Sequence, residues 1–233
     1  MSFRKLTDYF RRHGLIRTVH RSGYRVLGRM FGYMNMRCIW IAIPDLHVEP
    51  QIGHEQPQGR FLRMQELLQF AANGVGRRSG LTEPFVRQAL EKEERCFAIL
   101  DGKNLAAFTW YSENPPTYIN NDWVIHFDPR CVYVYFVYTD PAYRGQRLLG
   151  HGLRDALEEY RRNGKERALA FVESCNYASL NAFYRMGYKD FGSIRVFKLF
   201  GKRFAFHGPG CELFKFRAAP NTAALGRPAS KFA

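Results

Sequence analysis

The sequence predicts an α+β fold, a mixed central sheet with helices on both faces, preceded by a basic helical arm. Three observations predict it. Apolar periodicity switches between the strand repeat and the helical repeat in the order helix, helix, hairpin, strand, helix, strand, helix, hairpin. The run CVYVYFVYT, Cys131 to Thr139, is uncharged, β-branched and aromatic, which suits a central strand covered on both faces. The first 37 residues hold nine basic residues against the single acid Asp8, more than half of the net charge of +14.

The arm comes first. Leu6, Tyr9 and Phe10, then Tyr24, Leu27, Phe31 and Met34, recur at helical spacing, so residues 1–37 are expected to form two basic amphipathic helices split near His13 and Gly14. Such helices lie on anionic membranes, bind nucleic acid, or cap their own domain with a solvated basic face. The arginine-rich start also resembles an organelle transit peptide, although it is poor in serine. After the arm, Cys38 to Ile43 reads as a short strand and Pro44 to Gly59 as a polar loop.

Phe61, Met64, Leu67, Leu68 and Ala71 then mark a helix that the segment AANGVGRRSG ends. Thr82 caps another, with Pro84 tolerated in its first turn, running to Glu94. Asp101-Gly102-Lys103-Asn104 joins CFAIL to LAAFTWY as a hairpin, and a loop with two prolines leads to the central strand. From Leu149, the apolar residues Leu153, Ala156, Leu157 and Tyr160 fall on one helical face, and Asn163-Gly164 stops that helix. ALAFVES gives the next strand, Asn176 caps a helix over Tyr177 to Met186 that ends at Gly187, and Ser193 to Phe206 forms a last hairpin turning at Gly201-Lys202. The globular domain is thus expected over 38–216, with 217–233 a disordered small-residue tail.

At 233 residues and 46% hydrophobic, the chain has material for one good core. No window reaches the ~18 consecutive apolar residues of a membrane-spanning helix, and no secretory signal is readable. The five cysteines are scattered, without CxxC or Cys/His metal spacing, which points to a reducing compartment and a metal-free protein. The expectation is a cytoplasmic protein, with peripheral contact at an anionic inner membrane face open to the arm.

The stretch YTDPAYRGQRLLGHGL, Tyr138 to Leu153, lies where the central strand gives way to a helix. Ligands bind at such junctions because a helix start presents unpaired amides and the positive end of its dipole. The stretch matches neither GxxxxGK[ST] nor GxGxxG, which argues against ordinary nucleotide hydrolysis and dinucleotide binding. Spacing alone leaves an ordinary strand-to-helix turn as the alternative.

DPAYRGQRLLGHGL, followed by NYASLNAFYRMGY, resembles the two central motifs of the GNAT superfamily of acyl-coenzyme A dependent N-acyltransferases. The resemblance spans Phe97 to Phe206 and implies the family's mostly antiparallel sheet. Arg144 takes the first position of the family's [QR]xxGx[GA] loop, but Arg147 and Leu149 stand where the signature glycines belong. What the resemblance implies is acetyl-CoA or another acyl-CoA as co-substrate, its diphosphate facing the amides of Gly145, Gln146, Arg147, Leu148 and Leu149, with Arg144 or Arg147 adding charge-assisted bonds. Splayed amides at Val137, Tyr138 and Thr139 are implied to hold the pantetheine amide and the thioester oxygen. Asn176 and Ser179 match positions near the pantetheine arm, with a plain helix cap the alternative for Asn176.

Where the family often has a tyrosine as acid for the leaving thiolate, this chain has Phe183. Tyr184 is the neighbouring candidate, although one helical step turns a side chain by about 100°. A packing or surface tyrosine is its alternative, and water can also protonate a thiolate. Glu173, at a strand end, is the candidate base, with His126, Asp128 and Glu113 also considered. No oriented histidine is identifiable near Cys175, which argues against an acylated cysteine. The basic charge favours an acceptor carrying phosphate, namely a nucleotide-linked amino sugar, a lipid precursor or RNA, with a small-molecule amine the favoured reading. The aromatic residues around Trp110, Tyr111, Tyr118 and Trp123 wall its pocket or simply fill the core. The rival expectation is a binding module of the same fold without catalysis, its arm on anionic lipid or nucleic acid.

Overall fold

The computed structural model describes residues 18–48 and 59–222. The first expected helix, with Leu6, Tyr9 and Phe10, therefore lies outside the described residues. In chain order the strands are β1 (Met34–Ala42), β2 (Gly59–Phe61), β3 (Arg95–Asp101), β4 (Asn104–Ser112), β5 (Thr117–Tyr118), β6 (Trp123–His126), β7 (Cys131–Thr139), β8 (Arg167–Glu173), β9 (Lys189–Leu199), β10 (Lys202–His207) and β11 (Arg217–Pro220). The helices are α1 (residues 18–31), α2 (Met64–Ala72), α3 (Gly74–Ser79), α4 (Glu83–Glu91), α5 (Leu148–Arg162) and α6 (Tyr177–Arg185).

Eight strands make one sheet in the order β10-β9-β1-β8-β7-β4-β3-β2, and β11-β6-β5 make a second. Of the pairings, β7 with β8 is parallel and the others are antiparallel. On one face of the large sheet, α5 and α6 bury Leu153, Ala156, Leu157, Leu180 and Phe183 against Ile39, Ile41, Val132 and Ala170. On the other, the small sheet covers Met36, Tyr133 and Leu169, while α2 and α4 cover Cys96, Ala98 and Trp110. A fully buried leucine contributes about 1.5–3 kcal/mol, so the apolar stripe of α5, with Leu153 and Leu157 wholly buried, fixes that helix firmly.

The hairpin β3–β4, the central strand, α5, β8, the Asn176-capped helix and the last hairpin stand where the sequence places them. Four expectations need correction. Met34 to Arg37 belong to β1 and not to the arm, because Met36 is fully buried in the sheet core. Phe61 is in strand β2, paired with Phe97, and its helix starts only at Met64. The segment expected to end that helix contains α3, because the Asn73 side chain accepts a hydrogen bond from the Val75 amide and caps a new turn. Arg217 to Pro220, expected in a disordered tail, pair with β6 as β11, where the ladder and the burial of Ala218 outweigh the weak strand propensity of alanine.

Candidate active site

The site begins with a parting of strands. β7 and β8 are in register only from Cys131↔Arg167 to Val134↔Ala170. Beyond that, β8 stays with β1 as far as Glu173↔Met36, while β7 stays with β4 as far as Thr139↔Ala107. A register shift opposite Phe108–Trp110, with Phe136 at φ +43°, bends β7 away. Successive amides of a strand point to opposite edges. The Asp140 amide donates to Ala106 O of β4 at 2.9 Å, and Tyr138 lies opposite Phe108. Alternation therefore turns the amides of Val137 and Thr139 to the open edge and that of Tyr138 to β4. Tyr138 is thereby corrected: its amide belongs to the sheet ladder, and its ring stacks on Phe108 at 5.4 Å.

Arg144 reaches the same edge, where its Nε donates to Thr139 O at 3.4 Å. The intervening turn is anchored by Asp140. Its Oδ1 accepts from the Ala142 amide at 3.1 Å and its Oδ2 from Arg78 Nη2 at 3.0 Å. The Ala142 bond, and then Arg78, hold this carboxyl below its ordinary range.

Helix α5 starts at Leu148 behind two left-handed residues, Gly145 at φ +84° and Arg147 at φ +57°. Arg147 occupies a signature glycine position and nevertheless adopts the conformation that glycine would take, which in an L-residue costs roughly 1–2 kcal/mol. The first helical bonds run from Gly150 N and His151 N to Arg147 O, so the Leu148 and Leu149 amides precede any acceptor within the helix. The Leu148 side chain is buried in the core, so only its amide is on offer, whereas Gly145, Gln146 and Arg147 are exposed. Leu149 closes the ground behind the loop. The cleft it shares with Tyr138, Ile99 and Gly152 has a volume of about 10 Å³, room for a water molecule and no more.

The large space is on the β8 side. A cavity of about 460 Å³ is lined by Arg21, Tyr24 and Arg25 of α1, by Asn120, Asp122 and Trp123, and by Glu173, Cys175 and Asn176. Helix α1 forms its roof because Tyr24 Oη accepts from the Asn35 amide at 3.1 Å and the His20 ring bonds the Tyr177 hydroxyl at 2.9 Å. Glu173 opens to solvent through the cavity while protein atoms crowd it, and this burial raises its carboxyl above the ordinary range, with Arg21 and Arg25 pulling it back. A carboxylate poised in this way suits a proton acceptor.

The other candidate residues divide. Asn176 lines the cavity, and its Oδ1 accepts from the Ser179 amide at 3.3 Å, so it is at once a helix cap and a wall residue. Phe183 is buried edge to face with Tyr188 at 4.8 Å, a packing position. Tyr184 lies on the opposite face of the sheet from Glu173. Its hydroxyl is bonded to Asp190 at 2.9 and 3.1 Å, beside the Arg37–Asp190 ion pair. Burial and that bond push the phenol upward, the wrong direction for giving a proton to a thiolate.

Among the further bases considered, Asp128 is tied to Arg130 at 2.8 Å and drawn down to about 2 by it. Glu113 pairs with Lys165 at 3.1 Å. Burial followed by Arg217 lowers His126. None of the three lines the cavity. Burial pushes the Cys175 thiol up, against a nucleophilic role. Among the described residues no group of three or more His, Cys, Asp and Glu side chains could hold a metal ion.

The sequence reading missed Arg21, Tyr24, Arg25, Asn120 and Asp122 as site residues. The signal available was Arg21 and Arg25 one helical turn apart with Tyr24 beside them, which puts three polar tips on adjacent positions of one helix.

The model of the acetyltransferase (GNAT) family matches residues 61–188, more than half of the chain. Mycothiol acetyltransferase of Brachybacterium faecium is 25% identical over 119 residues, which cover 51% of this chain and 33% of that protein. The chain thus spans about a third of that relative's length. Among solved structures, a GNAT-family acetyltransferase of Colwellia psychrerythraea shares 16% identity at a TM-score of 0.47, covering 75% of this chain and 57% of that one. The GCN5-related glucosamine N-acetyltransferase region of a fungal multi-domain GH3 beta-N-acetylglucosaminidase shares 14% at 0.48, covering 81% and 23%. With the family model spanning the parted strands, the left-handed loop and α5, the chain belongs to the GNAT family of acetyltransferases.

Proposed function

We propose that the protein is an acetyl-CoA dependent N-acetyltransferase whose acceptor is a small, anionic primary amine bound in the cavity under α1. The observation that carries this reading is the parting of β7 from β8 beside the start of α5, in a chain of this family. The amides of Gly145, Gln146, Leu148 and Leu149, with Arg144 at the open edge, suit a diphosphate. Those of Val137 and Thr139 suit the pantetheine amide and the thioester oxygen, where negative charge develops.

Bound acetyl-CoA supplies a carbonyl activated by its sulfur. From the other side, Glu173 takes a proton from the acceptor ammonium, directly or through one water, so that the amine nitrogen forms the new C–N bond as the C–S bond breaks. Arg21 and Arg25 give the cavity its preference for an acceptor carrying phosphate or carboxylate. At about 460 Å³ the cavity holds an amino sugar or amino acid, and a nucleotide linked to it would extend through the mouth. The departing thiolate takes its proton through water, which receives in turn the second proton that the nitrogen sheds as the amide forms, since Phe183 has none to give and Tyr184 faces away.

The test is thiol release from acetyl-CoA over a panel of amino sugars, sugar phosphates and amino acids, alongside a thermal melt with coenzyme A. Amine-dependent release that Glu173→Gln abolishes supports the proposal. Silence across the panel, with no thermal shift on adding coenzyme, overturns it in favour of a binding module, the reading that Leu149 at a signature glycine position favours.

A further inference from the structure

Helix α1 turns Arg21 and Arg25 toward the cavity. Arg21, Tyr24, Arg25 and Gly28 line the cavity, while Val19, Val26, Leu27 and Met30 form an exposed apolar stripe on the other side, Met30 being 66% exposed. The β9–β10 hairpin carries a second apolar surface. Pairing of β9 with β1 ends at Val196↔Met34, so the hairpin projects past the end of the sheet where α1 and the cavity lie. Phe197 stacks on Phe204 at 5.2 Å and on Phe206 at 5.9 Å. Phe206 is 57% exposed, and Phe200, at the turn, is 94% exposed. The end of α1 meets the hairpin, since a Cβ on Gly32, just after α1, would stand 3.7 Å from the side chain of Lys198, which lies on the opposite face of β9 from Phe197. Exposed Arg29, Arg195 and Lys202 rim them.

Single exposed apolar residues need no explanation, but a helical stripe beside an aromatic hairpin tip, both rimmed by arginine and lysine, does. We propose that α1 and the β9–β10 hairpin together form a docking surface for an anionic phospholipid bilayer. The occupant follows from charge and depth. The chain carries +14, and the rim of the patch is basic, which suits anionic headgroups. The apolar elements are a one-sided helix and a hairpin tip, which reach the headgroup boundary and not further, and no helix among the described residues is long and apolar enough to cross a membrane. Docked this way, the end of the sheet that holds the cavity and the start of α5 faces the bilayer.

The test uses the full chain with vesicles of phosphatidylcholine alone and with about 30 mol% phosphatidylglycerol. The surface predicts co-sedimentation with the anionic vesicles only, weakened by added salt. The pairs Phe200→Ser/Phe206→Ser and Val26→Ser/Met30→Ser should each lower the partition constant about tenfold or more, because each removes apolar area from the lipid contact. The protein with Phe200→Trp should show a blue shift in emission on these vesicles that the unsubstituted chain lacks. Failure to bind, or binding that the hairpin pair leaves unchanged, which is adsorption by charge alone, overturns the proposal. So does a concentration-dependent dimer that Phe206→Ser abolishes, or binding to single-stranded RNA with none to vesicles. The hairpin residues are exposed, so their variants keep the test open even where substitution in α1 loosens that helix.

Discussion

Val134 and Ala170 are the last residues that β7 and β8 share in register, and the wedge beyond them has main-chain donors on one side and Glu173 on the other. The proposed grip on the coenzyme rests mainly on amides that the parting strands and the helix start leave without a ladder partner.

Arg147 tests whether conformation or charge makes the cradle. It holds φ +57° without the freedom of glycine. Arg147→Gly should raise stability by about 1 kcal/mol or leave it unchanged, since relieved strain opposes the greater flexibility of the unfolded chain. Coenzyme A should still bind. Arg147→Val, whose branched side chain resists the left-handed region, should weaken binding about tenfold or more. Calorimetric titration with coenzyme A and thermal melts measure both.

Glu173→Gln should lower turnover by about two to four powers of ten while leaving the apparent affinity for acetyl-CoA nearly unchanged. In the unsubstituted enzyme the rate should rise with pH through an apparent pKa above the ordinary carboxylate value of about 4.3, because the base acts ionised and burial raises it. The stability sign runs the other way. A carboxyl raised on folding favours the folded state below its unfolded pKa, and this advantage is lost as pH rises through the folded one. At neutral pH the Gln variant should therefore melt no lower than the parent.

Tyr184→Phe removes the hydroxyl bonded to Asp190 and nothing from the cavity wall. Turnover should stay within about twofold, and stability should fall by about 1 kcal/mol at most. A hundredfold drop in turnover would restore Tyr184 as the acid and require α6 to move on binding.

Asp140 anchors the turn that delivers residues 145–149. Its carboxyl is lowered on folding by the Ala142 amide and then Arg78, so it adds stability above its unfolded pKa that is lost as pH falls through the folded one. Asp140→Asn should flatten the fall in melting temperature between about pH 5 and about pH 3. It should also weaken coenzyme A binding, read by the same titration.

The sequence made the middle of the molecule legible, and its two ends much less so. β7, α5, β8 and α6 carry clear periodicity with caps at Asn176 and stops at Gly164 and Gly187, so local propensity and tertiary packing agree there. Phe61 fits the helical spacing of Met64 and Leu67, yet its packing on Phe97 and Tyr160 is available only in the assembled sheet. Ala218 and Ala219 carry no strand signal and become one through pairing with β6. The cavity was the least legible feature, because its wall joins Tyr24, Asp122 and Glu173 from segments far apart in the chain, and no local pattern encodes that meeting. A resemblance alone points to the wedge amides, and only the register that puts Tyr138 opposite Phe108 tells which of them are open.

The most direct test of the main-chain grip is amide-resolved NMR of the isotope-labelled chain titrated with coenzyme A. The account predicts shifts and slowed hydrogen exchange at the amides of Val137, Thr139, Leu148 and Leu149, with Tyr138 protected before any coenzyme is added. Saturating coenzyme A that leaves those four signals unmoved, or that perturbs only residues far from the β7–β8 wedge, would contradict it.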